Sequence, residues 1–145
     1  MLKLFVSYCH EKENKELIER IVKQLRVYHY DVWFDDDRIR VGDTIITQIQ
    51  KGISECDFFI CFITNEYIQS RNCLLEFHYA ANLNKKCIYI LLEPIDRNTT
   101  SSVNMFLFGD AARLDAFKYK DNGKLWDGKV SYEDAILSEI IRAIS

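Results

Sequence analysis

The sequence predicts an α/β fold: a five-stranded parallel sheet in the order 2-1-3-4-5 with helices on both faces. Apolar runs of strand length occur at 2–8, 58–63 and 87–92, and the last two are continuous, with no polar residue alternating. Amphipathic helical patterns separate these runs. Strands that alternate with helices join through right-handed crossovers, which makes the sheet parallel, and a continuously apolar strand is one covered on both faces.

The elements follow in order. Residues 2–8 form the first strand, and the helix after it is marked by Leu17, Ile18, Ile21, Val22 and Leu25. Residues 31–34 read as the second strand, leading into a polar loop with Asp35, Asp36, Asp37, Arg38, Arg40 and Gly42. Asp43 or Thr44 can cap the second helix, whose apolar positions are Ile45, Ile46, Ile49 and Ile53. Strand three is 58–63, and a helix around Leu74, Leu75, Phe77, Tyr79, Ala81 and Leu83 follows it. Leu75, Tyr79 and Leu83, four residues apart, with Leu74, Phe77 and Ala81 beside them, are expected to pack most of the circumference of that helix. Strand four is 87–92, a weaker strand is expected at 114–117, and a short helix between 95 and 113 fills a stretch too long for a bare loop. The last helix carries Ala135, Ile136, Ile140, Ile141 and Ile144.

At 145 residues the chain is read as one domain, 1–145, large enough to bury a core without disulfides or metals. A net charge of −3 supplies no basic field, so neither nucleic acid nor an anionic membrane surface is expected as a partner. Cys9, Cys56, Cys61, Cys73 and Cys87 are odd in number and contain no C-x-x-C pair, as in a reduced, cytoplasmic protein. They do not combine with His10, His29 or His78 at ligand spacing, so no metal is expected. No apolar run reaches the roughly 18 residues of a membrane span, and no targeting segment is expected.

Glu76 is the residue that points to chemistry. It is a carboxylate near the start of a helix that is otherwise largely apolar. Taken alone it reads first as a surface glutamate favoured by the helix dipole, and the rest of the chain changes that reading. In the strand order 2-1-3-4-5, ligands bind beyond the carboxyl ends of strands one and three. Strand one ends at Ser7 and Tyr8, and strand three leads toward Glu76, so the topology directs this carboxylate to the crevice. The triple aspartate at 35–37 does not have the placement of a magnesium-binding receiver, which would also need a phosphoacceptor after strand three, where Thr64 and Asn65 stand.

Phe5-Val6-Ser7-Tyr8, then Trp33-Phe34-Asp35 with Gly42 and Ile45, then Asp57-Phe58-Phe59-Ile60, and then Tyr67, Ser70, Cys73 and Glu76 resemble the successive sequence boxes of the TIR (Toll/interleukin receptor) domain family. The likeness covers nearly the whole chain. It implies a three-layer, flavodoxin-like fold and one of two functions. Some members cleave NAD⁺ between nicotinamide and ribose, and others are adaptors acting by TIR–TIR contact, in immune or cell-death signalling. In the enzymatic members the catalytic residue corresponds to Glu76. One carboxylate suffices, because nicotinamide leaves as a neutral molecule and needs no general acid, unlike a sugar alkoxide. The carboxylate would stabilise the positive charge that develops on the ribose.

The resemblance implies NAD⁺ as substrate with no other cofactor, giving ADP-ribose or a cyclic isomer. It makes Ser7, Tyr8, Cys9, Phe34, Asn72, Cys73 and Trp126 the candidate NAD⁺ contacts. Asn72 stands where many members have tryptophan, with Tyr8 or Phe34 the aromatics available in its stead, and Cys9-His10 stands where some enzymatic members have arginine. Trp126 resembles an aromatic that stacks on adenine from a neighbouring subunit; it reads equally well as packing beside the last helix. The 35–44 loop, through Arg38, Arg40, Gly42 and Asp43, is the implied interface with further TIR domains, and head-to-tail contacts of this kind build homo-oligomers or filaments. A deoxyribosyltransferase-like enzyme would share the fold and a catalytic glutamate but not the 35–44 loop.

Overall fold

The computed structural model describes residues 1–9, 12–34, 45–95, 113–121 and 131–145. Five strands form one sheet: β1 (Lys3–Tyr8), β2 (Asp31–Trp33), β3 (Phe58–Ile63), β4 (Lys86–Leu91) and β5 (Arg113–Asp115). Every neighbouring pair is parallel and the order is β2-β1-β3-β4-β5, as predicted. The helices are α1 (Lys12–Val27), α2 (Ile45–Glu55), α3 (Asn65–Gln69), α4 (Arg71–Asn82), α5 (Phe117–Asp121) and α6 (Tyr132–Ile144).

Strand alternation divides the core into two layers. Leu4, Val6 and Tyr8 of β1, with Ile60 and Phe62 of β3, face α1 and α6 and pack on Ile18, Ile21, Leu25, Ile136 and Ile140. Phe5 of β1 and Phe59, Cys61 and Ile63 of β3 face the other way, toward Ile53 of α2, Tyr67 of α3 and Cys73, Phe77 and Ala80 of α4. Ser7 pairs in register with Cys61. It therefore belongs to the second layer, and it and Thr64 are the buried polar residues among those described.

Two helices end by the same device. His29 has a φ of 69° and Asn84 a φ of 55°. Each sits just past a helix end, with its own N–H donated to the carbonyl three residues back and the next N–H to the carbonyl five back: His29 to Arg26 and Tyr30 to Leu25, Asn84 to Ala81 and Lys85 to Ala80. This left-handed cap satisfies carbonyls that the helix leaves open. The turn at Asn84 also aims Lys85, whose Nζ donates to the Ser54 and Cys56 carbonyls at 2.7 and 2.9 Å and closes the end of α2.

Three expectations are corrected. The packed face of α4 is built on Cys73, Phe77 and Ala80, with Leu74 and Tyr79 partly buried against it, so less of the circumference packs than expected; Leu75 and Leu83 are exposed, at 57% and 42%. Apolar residues occur nearly all round this helix, so periodicity alone does not choose the face. In α2, Ile53 is buried and Ile49 partly buried, whereas Ile45 and Ile46 are exposed. The last strand covers 113–115 rather than 114–117, and Phe117 opens α5. The proposed short helix between 95 and 113 lies almost wholly outside the described residues.

Candidate functional site

The carboxyl ends of β1 and β3 are bridged by a turn of helix that the sequence did not disclose. Thr64 caps α3, its hydroxyl accepting from the Tyr67 N–H at 3.1 Å. The Glu93 carboxylate, beyond β4, accepts from the Asn65 backbone N–H at 2.6 Å and from its side-chain amide at 3.2 Å. Ser70 ends α3 and caps α4, accepting from the Cys73 N–H at 3.3 Å. The chain thus turns sharply between two short helices, and α4 starts with a fixed rotation over the sheet. Cys73 goes inward. Glu76, three residues later on nearly the same face, is carried to the end of β1.

Ser7 Oγ donates to Glu76 Oε2 at 2.6 Å. The same Oγ lies 2.7 Å from the hydroxyl of Tyr67, a fully buried side chain, and the Tyr67 hydroxyl reaches Cys61 Sγ at 3.7 Å. On the other side, Cys73 Sγ donates to the Tyr8 carbonyl at 3.7 Å, tying α4 to the end of β1. Burial pushes the Glu76 carboxyl up to about 7, and the Ser7 hydrogen bond holds it partly back. Burial likewise pushes the Cys61 thiol and the Tyr67 phenol well up, and the Cys73 thiol up to about 12. Near neutrality these three neighbours are uncharged and Glu76 is poised between its two forms.

Of the sequence-predicted contacts, Ser7, Cys9 and Cys73 share the layer of Glu76. Asn72 is exposed on the first turn of α4. Tyr8 and Phe34 are placed elsewhere: their rings stack 5.2 Å apart in the opposite layer, and both are buried. Tyr8 follows Ser7 in an extended strand and so points to the other face. Neither ring offers an exposed aromatic surface in place of the missing tryptophan. Trp126, Arg38, Arg40, Gly42 and Asp43 lie outside the described residues. Sequence reasoning did not place Tyr67 beside Ser7; the signal available was the capping pattern from Thr64, which fixes a helical turn and turns Tyr67 inward.

Among the described residues no group of three or more His, Cys, Asp and Glu could hold a metal ion, and no helix is long and apolar enough to cross a membrane. A cavity of about 30 Å³ lined by Lys3, Asp31, Trp33, Gly52 and Cys56, among others, lies at the amino-terminal edge of the sheet, away from Glu76.

A sequence model described as the TIR domain matches residues 4–125. The probable 2′ cyclic ADP-D-ribose synthase TcpO of Methanobrevibacter olleyae is 29% identical over 69 residues, which are 47% of this chain and 20% of that protein. The NAD(+) hydrolase PdTIR of Paracoccus denitrificans is 27% identical over 66 residues, 46% of this chain and 22% of that protein. The matches thus span about a fifth of the length of these relatives. Among solved structures, the TIR domains of the Roq1 resistosome superpose with a TM-score of 0.61 at 18% identity, covering 97% of this chain and 83% of that one. The Clostridium botulinum CMP N-glycosidase BcmB superposes with a TM-score of 0.56 at 20% identity, covering 77% and 86%. At such identities these structures speak to the fold, which is the flavodoxin-like α/β fold expected from the sequence.

Proposed function

The chain belongs to the TIR domain family, and on that premise we propose that it is an NAD⁺ glycohydrolase in which Glu76 promotes cleavage of the nicotinamide–ribose bond. The observation that carries this reading is the Glu76 carboxyl, partly buried and held by Ser7 at the carboxyl end of β1. Distant relatives named as an NAD(+) hydrolase and a cyclic ADP-ribose synthase support the same class of chemistry.

The physical case is one of charge. The pyridinium of NAD⁺ is a cation, and as its bond to the ribose stretches, positive charge moves to the anomeric carbon and ring oxygen. A carboxylate fixed nearby in a water-poor setting favours that redistribution. Substrate cation and developing ribosyl cation both favour the ionised form of Glu76, so NAD⁺ binding itself would draw the proton from the carboxyl. Nicotinamide departs neutral, and water or a nucleophilic atom of the adenosine half then bonds to the anomeric carbon and loses its proton to solvent, giving ADP-ribose or a cyclic isomer. Ser7 holds the carboxylate in place through this sequence, and Cys9, Asn72 and Cys73 border it.

The test is nicotinamide release from NAD⁺ by the purified protein, with and without Glu76→Gln. That substitution keeps the shape and a hydrogen bond to Ser7 while removing the charge. A loss of about 100-fold or more is expected, the scale on which removal of one transition-state-stabilising group is felt. Unchanged turnover in the folded variant would remove Glu76 from the chemistry.

A second reading, a non-catalytic adaptor acting by TIR–TIR contact, is favoured by Ile45 and Ile46, which are 58% and 68% exposed at the start of α2, directly after the 35–44 loop. It separates from the first by mutation: an adaptor tolerates Glu76→Gln and loses its association on changes at Arg38, Arg40 or Gly42.

A further inference from the structure

We propose that Tyr67 is a positioning residue for Glu76, acting through Ser7 in a buried chain Glu76–Ser7–Tyr67–Cys61 whose hydrogen bonds reverse direction when the carboxyl gains or loses its proton. The links measure 2.6, 2.7 and 3.7 Å, and all three partners beyond Glu76 are buried. They come from three separate elements, β1, α3 and β3.

The chain works because each hydroxyl has one proton to give and lone pairs with which to accept. When Glu76 is ionised it can only accept. Ser7 must then donate to it, leaving the Ser7 oxygen free to accept from Tyr67. The phenol proton is committed to Ser7, and both hydrogen bonds point at the negative charge. When Glu76 is protonated it donates to Ser7, Ser7 donates to Tyr67, and the phenol proton turns to Cys61 Sγ. No heavy atom moves and no buried hydroxyl loses its partner in either state. Sulfur is a weak acceptor and a serine hydroxyl a good one, so the Tyr67 bond is the stronger in the ionised state. Tyr67 thereby favours the carboxylate and Cys61 the neutral acid.

The titratable groups that bear on Glu76 from the packed elements are Tyr67 of α3, Cys61 of β3 and Cys73 of α4. Each is held in its neutral form near pH 7 by burial. The balance between the two forms of Glu76 therefore rests on desolvation against this chain of hydrogen bonds. That an ionised Glu76 matters for turnover rests on the glycohydrolase reading; the chain itself does not.

The experiment is a carbon-13 NMR titration of the Glu76 side-chain carboxyl in the full chain labelled at glutamate, assigned by its loss in Glu76→Gln. It reads the chain even if no nicotinamide is released, so failure of this inference and failure of the glycohydrolase reading are told apart. Tyr67→Phe keeps the ring and removes the hydroxyl, and the Glu76 midpoint is expected to rise by about one pH unit. Cys61→Ala removes the acceptor of the neutral state, and the midpoint is expected to fall by a smaller amount. Opposite shifts are the signature, since general loosening of the core would move both variants downward by admitting water. A Tyr67→Phe midpoint equal to or below that of the parent protein would overturn the proposal. Should Tyr67→Phe not fold, a Cys61→Ala midpoint equal to or above that of the parent would do the same.

Discussion

Glu76 combines a cost to folding with the use in chemistry proposed for it, and pH separates the two. Its folded-state pKa of about 7 lies above the ordinary value of 4.5. The folded chain thus holds that proton more tightly than the unfolded one does, and stability declines as pH rises from about 4.5 to about 7, then levels off. Glu76→Gln removes the charge that burial penalises. Thermal or urea unfolding should show the variant more stable than the parent at pH 8, by up to about 3 kcal/mol, with the advantage shrinking toward acid. An advantage that is absent at pH 8 or largest in acid would contradict the burial of Glu76. Activity should run the opposite way. The free-enzyme profile, kcat/KM against pH, should rise about tenfold per pH unit below about 7 and flatten above it. Glu76 itself was legible in the sequence as a carboxylate out of place. Tyr67, which reaches it through Ser7, was visible as one member of a family pattern, because a single tyrosine in a short helix does not announce which way it points.

At the scale of elements, the sequence read the strands well and the helix faces less well. Strands β1, β3 and β4 are mostly apolar, and among the described residues they are the strands that bury both faces over several residues. Helix α4 offers two competing apolar stripes, and what decides between them is the Ser70 cap and the short α3 before it. The terminus of α1 offers a direct check on such caps. His29 occupies the left-handed conformation at the end of α1, which costs a side chain with a Cβ about 1 kcal/mol relative to glycine. His29→Gly should therefore raise stability by about 1 kcal/mol, less whatever glycine adds to the entropy of the unfolded chain; a clear loss would show that the imidazole has a structural use. Helix α2 sits close to the sheet at Gly52, where an added Cβ would lie 2.9 Å from Trp33 Nε1 and 3.1 Å from Phe5 Cε2. Those rings stack at 4.7 Å, and Phe5 stacks in turn on Phe59 at 5.5 Å, so there is little slack. Gly52→Ala should destabilise by about 1–3 kcal/mol in urea unfolding, the usual cost of overpacking, despite its gain in helix propensity.

For the whole molecule, the strand order is what assembles the site. Ser7 and Glu76 stand 69 positions apart in the chain and meet because β1 and β3 are neighbours at the point where the sheet reverses its winding. That juxtaposition was legible from the order of elements alone. Which side chains line the approach was not, since alternation along β1 sends Tyr8 to the opposite layer from Ser7. If the site is completed across a TIR–TIR contact, turnover per molecule will climb with protein concentration, whereas a self-sufficient site will give a constant value. The measurement that bears most directly on the central claim is nicotinamide release from NAD⁺ by the parent protein and Glu76→Gln, followed side by side across a wide concentration range. Release by the parent that is lost in the folded variant is the expected result. No release by the folded parent at any concentration, or equal release by both, would contradict it.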